Sequence, residues 1–466
     1  MIRLGLVLAV VLLPRVAVAA PTASPDGGAQ PDAGAAGAHA DAGAAAPGKG
    51  PVVELPSEAD PPAPVEPPGA AKAAPNDIAV RTSPFETLSS KASAIVNRTV
   101  LGGYGEFVFT KAEDQDSLFD ARRLVIFLYA PIHPRISFST EIEFEFGGTP
   151  KKQDGELTNG EVILEFAVLD FKVIDQLSLR AGVILVPFGK FNVNHDSPTR
   201  DLTDRPLVIR TIIPSTWFET GAGLFGKVPL SSDVDLDYEA YLINGLDSKI
   251  QDGHGNRAAR GALSQDNNDD KALVGRLSLS HFGKVGDKGL SIEVGASGYT
   301  GAYDRRGSRA NMIGVDLTLR RGGFELLGEY VYQRNDAGFD DSWPTSSRLP
   351  VPESMRGFYV QANYHFMPDF IRSALPPDLQ ESVFTAVAMY EEVDTDTDRD
   401  TGGDRTRLVF GLNYRPIEAV VWKHEAQLNY TLATAASGEV HRRSFFGIGE
   451  ALRPSWAYVT SVAFLF

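Results

Sequence analysis

Beyond residue 98, apolar and polar residues alternate with a period of two over most of the chain. The clearest stretch is 135–146. There Ile136, Phe138, Ile142, Phe144 and Phe146 share one parity, and Ser137, Ser139, Glu141, Glu143 and Glu145 share the other. A period of two sends successive side chains to opposite faces of a strand, so one face is apolar and the other polar. The same pattern recurs at 311–320, 357–366 and 418–432. Sixteen such segments begin near Leu101, Ala121, Arg135, Glu161, Leu177, Trp217, Val234, Ala272, Gly289, Asn311, Gly323, Gly357, Val383, Arg405, Glu418 and Trp456. Most are about twice as long as the strands of soluble domains, and a tilted strand of that length spans the apolar band of an outer membrane.

The connections alternate too. The odd ones, 111–120, 147–160, 187–216, 244–271, 301–310, 335–356, 394–404 and 433–455, are mostly long and acidic. The even ones, such as 131–134, 173–176, 321–322 and 416–417, are mostly tight turns, and 368–382 is the exception. Segregation of long loops to one end and turns to the other is the asymmetry of a membrane barrel, not of a soluble sandwich. The predicted fold class is therefore all-β: a transmembrane antiparallel β-barrel of about 16 strands behind a disordered N-terminal tail.

Composition explains how such a chain can have a mean hydropathy of only −0.12. Half of each strand faces lipid and half faces water or the interior, and the average is near neutral. Residues 1–19 form an expected signal peptide: Arg3, an apolar run Leu4–Leu13 and the small-x-small site Ala17-Val18-Ala19. Residues 20–97 are an expected periplasmic linker, rich in Ala, Pro and Gly; such a segment cannot bury enough apolar area to offset its ordering entropy. Of 44 aromatic residues, 43 fall in 98–466, the predicted barrel. The absence of cysteine excludes a disulfide framework, thiolate metal sites and thiol nucleophiles. The formal charge of −16 argues against a nucleic-acid partner.

No catalytic constellation is present: there is no G-x-S-x-G, H-E-x-x-H or G-x-x-x-x-G-K pattern, and the eight histidines show no metal-ligand spacing. The expectation is a non-enzyme with no cofactor and no metal. The run Asp394, Asp396, Asp398, Asp400 hints at calcium, but Arg399 and Arg405 occupy the positions where an EF-hand loop needs Gly and Glu, so it reads as a solvated outer loop. The connection 187–216 is different. It carries Lys190, His195, Arg200, Arg205 and Arg210 with Asp196, Asp201 and Asp204, and Pro187, Pro198, Pro206 and Pro214 stiffen it. A stiff, mixed-charge third loop suits a constriction folded into a lumen, where fixed charges select what passes. Arg180, Arg276, Arg320 and Arg407, with Glu141, Glu143, Glu145, Glu165, Glu325 and Glu329, fall on polar strand faces and are candidate lumen-facing groups.

Four stretches stand out together: Ala181-Gly182-Val183-Ile184-Leu185-Val186 followed by Pro187-Phe188-Gly189, then Leu273-Val274-Gly275-Arg276-Leu277, Gly411-Leu412-Asn413-Tyr414-Arg415-Pro416, and the last strand from Trp456 to Phe466. In this order they resemble the phosphate-selective porins of the O/P type. The resemblance implies a sixteen-stranded, trimeric porin with its third loop inside the pore. It also implies anion selection by a ladder of arginines and a lysine cluster. Against that, residues 98–466 hold 38 bases and 51 acids, a net of −13, and no lysine cluster is present. The expected function is passive, charge-tuned diffusion of small hydrophilic solutes or ions in the outer membrane, with the N-terminal tail in the periplasm. The expected partners are outer-membrane lipid and lipopolysaccharide, the barrel assembly machinery acting on Phe466, small anionic or polar solutes, and further copies of the chain in a trimer. The alternatives are a barrel enzyme acting on envelope lipids and a structural or adhesive barrel.

Overall fold

Inward-facing polar residues and outward-facing apolar residues organise every long strand. In the segment Ile136–Glu145, Ser139, Glu141 and Glu143 are buried inside, while Phe138, Ile142 and Phe144 take the other face. The computed structural model describes residues 99–466 apart from 149–150, 154–155, 159, 262, 265, 283–288, 340–348, 400–403 and 432–454. The expected signal peptide, the linker and most of the last long connection lie outside the described residues.

The strands are β1 (Val100–Ala112), β2 (Leu118–His133), β3 (Ile136–Glu145), β4 (Lys151–Gln153), β5 (Glu156–Thr158), β6 (Glu161–Ile174), β7 (Leu177–Leu185), β8 (Phe218–Pro229), β9 (Val234–Ile243), β10 (Ala272–His281), β11 (Leu290–Ala302), β12 (Arg309–Arg321), β13 (Phe324–Asn335), β14 (Ser354–Phe366), β15 (Val383–Asp394), β16 (Arg405–Ile417), β17 (Val420–Thr431) and β18 (Ser455–Leu465). The short strands β4 and β5 pair only with each other. The other sixteen close into an antiparallel barrel, and they correspond one to one with the sixteen alternating segments.

Closure is made by β1 against β18, with Gly105 opposite Phe464 and Phe107 opposite Val462. The seam needs glycine. A Cβ on Gly105 would lie 2.7 Å from the Phe464 ring. Outside, residues such as Ile313, Val315, Val360 and Phe410 are exposed, as a lipid-facing band requires. At the turn end, Tyr364, Phe366, Phe384 and Tyr414 form a run of neighbouring rings with centroids 4.8–5.9 Å apart. Such rings suit the boundary between hydrocarbon and headgroups. No helix among the described residues is long and apolar enough to cross a membrane.

The exceptional connection at 368–382 is a real long turn rather than a misplaced strand. It folds as a helical turn Asp369–Arg372 and a 3-10 turn Pro377–Leu379. The solvated reading of the Asp394 run is corrected. Thr395 and Asp396 are buried, and Thr395 accepts from the Gly253 amide (2.7 Å) and donates to Asp252 (2.7 Å), so this stretch docks on the 244–271 connection.

Candidate functional site

The connection between β7 and β8 enters the barrel because its two ends are apolar and its middle is polar. Near the ends, Val186, Phe188, Ile209, Ile212, Ile213 and Trp217 join Tyr241, Val274 and Tyr299 in a core inside the barrel. Trp217 lies 6.2 Å from Phe188 and 5.2 Å from Tyr299, ring centre to ring centre. Gly189 turns the chain inward at φ +71°, and a Cβ there would collide with Glu329 Oε2. A non-glycine residue would therefore be strained as well as crowded.

The middle of the loop is tied to the walls around it. Lys190 donates to Glu293 (2.5 Å) and Thr318 (3.0 Å), and the Phe191 amide donates to Glu329 (2.6 Å). Ser197 donates to Glu106 (2.6 Å), and Lys423 donates to the Ser197 carbonyl (2.9 Å). Arg200 donates to Ser197 Oγ (3.0 Å) and to the Thr203 carbonyl (3.1 Å). Asp201 accepts from Asn363 through its carboxylate (2.8 Å) and from Asn413 through its carbonyl (2.6 Å). Asp204 accepts from Gln427 (2.8 Å) and lies 3.3 Å from Arg407. Burial alone would push the Asp204 carboxyl up, but Arg407, Arg210 and Arg122 outweigh it and hold the group below the usual carboxylate range.

The expected constriction residues therefore separate. Lys190, His195, Arg200, Asp201 and Asp204 fasten the loop. Asp196 is half-buried near Glu165 and His195. Arg205 is half-buried and Arg210 exposed to the lumen, and neither forms an ion pair among the described residues. The strand candidates mostly pair across the sheet: Arg180 with Asp170 (2.7 Å), Arg276 with Asp316 (2.7 Å), Arg320 with Glu325 (2.6 Å), and Arg407 with Glu391. Glu329 is covered by the loop, and Glu141 and Glu143 are buried on the β3 inner face.

Two residues escaped the sequence reading. The 244–271 connection also folds inward: Asn256 is buried and donates to the Ile212 carbonyl (2.7 Å), and Arg257 donates to the Ser215 carbonyl. This brings Arg257 and Arg260 beside Arg205. Burial, then Arg257 and Arg205, push the Arg260 guanidinium down to about 9, so it is still charged at neutral pH. Its only hint in sequence is the turn chemistry of Gly253-His254-Gly255-Asn256, where both glycines take positive φ. Across from these arginines, and close enough to interact with them, are Glu145 and Glu161. The arrangement is a basic loop surface facing an acidic wall built from β3 and β6.

This geometry sits inside a recognisable relationship. Residues 96–323 match the phosphate-selective porin O and P family. That stretch runs from β1 to the end of β12 and includes both inward loops, with Arg205, Arg210, Arg257 and Arg260 on them. An uncharacterised protein of Aquifex aeolicus (strain VF5) is 28% identical over 359 residues, covering 72% of this chain and 76% of its own. Among solved structures, the chain resembles Salmonella typhi OmpF in complex with daunomycin, with a TM-score of 0.46 and 12% identity over 79% of this chain and 98% of that one. It also resembles an anion-selective porin from Comamonas acidovorans, with a TM-score of 0.43 and 10% identity over 79% and 100%. The closed barrel, with residues 96–323 matching a porin family, is an outer-membrane channel for solute diffusion.

Proposed function

We propose that this porin passes small anionic and polar solutes by passive diffusion through a passage bounded by Arg205, Arg210, Arg257 and Arg260 on one side and by Glu145 and Glu161 on the other. The observation that carries the reading is that these four arginines have no ion pair among the described residues, whereas Arg180, Arg276, Arg320 and Arg407 on the strand faces are paired. Uncompensated charge in a narrow, low-dielectric channel acts on a passing ion far more strongly than a neutralised pair does. The N-terminal tail and the turns face the periplasm and the long loops face outward in this reading. It involves no covalent chemistry and no cofactor.

The test is a planar bilayer recording of the full chain in a salt gradient. The reversal potential should show anion preference at low salt, and neutralising Arg205, Arg210, Arg257 and Arg260 together to Gln should move it toward cations. Absence of conductance steps, or a reversal potential that the quadruple variant leaves in place, would reject the assignment.

A further inference from the structure

The acidic wall opposite the arginines contains a second arrangement that solute diffusion does not use. Glu141 of β3, Glu165 of β6 and His195 of the inward loop each offer one ligand atom, and these atoms lie within 4.8 Å of one another. All three side chains are more than nine-tenths buried, at 7%, 0% and 3% exposure. Glu141 Oε1 and Glu165 Oε1 are buried with no hydrogen-bond partner. An orphaned carboxylate oxygen in such a setting is costly unless a proton or a metal cation is shared there.

The imidazole is oriented for the same purpose. His195 Nδ1 lies 2.9 Å from the Asn192 carbonyl, which can only accept, so Nδ1 carries the proton. In the neutral ring Nε2 then presents a lone pair, and it faces Glu165 Oε2 at 3.2 Å. A lone pair against a carboxylate is favourable only with a proton or a metal ion between them. Asn192 is itself fixed: its Nδ2 donates to the Val186 (2.8 Å) and Trp217 (3.0 Å) carbonyls, and its Oδ1 accepts from the Trp217 amide (2.8 Å). This is the support that metal-ligating histidines receive from the groups behind them. The nearest fixed cations are otherwise engaged or more distant. Arg123 is shared between Glu106 (3.3 Å) and Glu143 (3.1 Å), and Arg205 approaches without a hydrogen bond.

We propose that Glu141, Glu165 and His195 bind a divalent transition-metal ion, zinc being the best match to one imidazole nitrogen and two carboxylate oxygens. With Zn–N and Zn–O distances of about 2.0–2.2 Å, tetrahedral donors stand roughly 3.3 Å apart, so modest side-chain rotation closes the set. The remaining position is open to water. The bound ion staples the inward loop to β3 and β6 and cancels negative charge on the acidic wall, tilting the passage further toward anions.

Purified full-length protein in detergent, stripped with EDTA and then dialysed against zinc chloride, should retain one zinc per chain. His195→Gln and Glu141→Gln should lose that zinc, while His133→Ala, in a turn, should keep it. Wild type that retains no more zinc than His195→Gln would overturn the proposal. Should either variant fail to assemble, the cobalt-substituted wild type decides: tetrahedral d–d absorption supports the site and its absence overturns it. A second arm compares reversal potentials with EDTA and with micromolar zinc. Only that arm rests on the channel reading, so a failure of conduction and a failure of metal binding are told apart.

Discussion

Glu106 of β1 is the carboxylate on which the far end of the inward loop rests. Lys423 lies 3.4 Å from it, Arg123 3.3 Å and Arg200 3.9 Å, and Ser197 donates to it at 2.6 Å. Lys423 is 1% exposed and has no other carboxylate within 4 Å among the described residues, and the same holds for Arg200. Glu106→Gln keeps the shape and a hydrogen-bond acceptor for Ser197 but strands two buried cations. Breaking a buried ion pair from one side costs about 3–5 kcal/mol, which shifts a docked-to-undocked equilibrium by a factor of roughly a hundred to several thousand. The loop carries its own reporter, because the Arg200–Asp201 bond is buried when the loop is docked. Trypsin should leave that bond intact in the folded wild-type barrel and cut it in Glu106→Gln. Adding Lys423→Gln, which removes the stranded amine as well, should restore part of the protection. Identical digestion of wild type and Glu106→Gln in folded barrels would refute the claim that this charge network holds the loop.

Three other outcomes follow from the same geometry. The ion preference set by Arg205, Arg210, Arg257 and Arg260 should fade as salt rises from about 0.1 M to 1 M, because the screening length shrinks from about 10 Å to 3 Å; reversal potentials measured at both ends of that range check it. Val315→Arg places a charge on the exposed outer face at the middle of β12, where it costs about 2–4 kcal/mol in a bilayer, so the yield of heat-modifiable folded barrel in lipid vesicles should fall. Arg180→Gln combined with Asp170→Asn deletes a compensated pair and no net charge, and should leave the reversal potential unchanged; a shift as large as that of the loop arginines would return the selecting role to the strand arginines.

The strands were legible because burial inside and lipid outside impose the same period on every one of them. The segment at Arg135 shows this in ten residues, and each of the other fifteen alternating segments became a barrel strand. Cross-strand pairs were hidden. Parity puts Arg180 on a polar strand face, but only the register sets Asp170 opposite it. The inner surface was not legible. Parity says that Glu329 and Arg407 point inward, but not that a loop from β7 will lie over them, because contacts between Phe191 and Glu329 or between Arg205 and Arg407 cross more than a hundred residues. For the same reason the histidine spacing concealed His195. Its candidate co-ligands are 54 and 30 residues away and meet it only when the loop folds in.

Net charge is therefore a poor guide to what such a barrel selects. The barrel region is acidic by thirteen charges, yet those charges are not equally free to act. Acids on the strand faces are largely consumed in holding the wall and the loop, as Asp170, Asp316, Glu325 and Glu391 are by arginines. Polar residues covered by a loop must be paired or they destabilise the fold. Pairing thus removes from the pore most of the charge that composition counts. What is left includes Arg205 and Arg210 from one connection and Arg257 and Arg260 from the next, facing Glu145 and Glu161. In the function proposed above this remainder sets the sign of the field, and a chain with an acidic total can still present a basic loop surface to a passing solute.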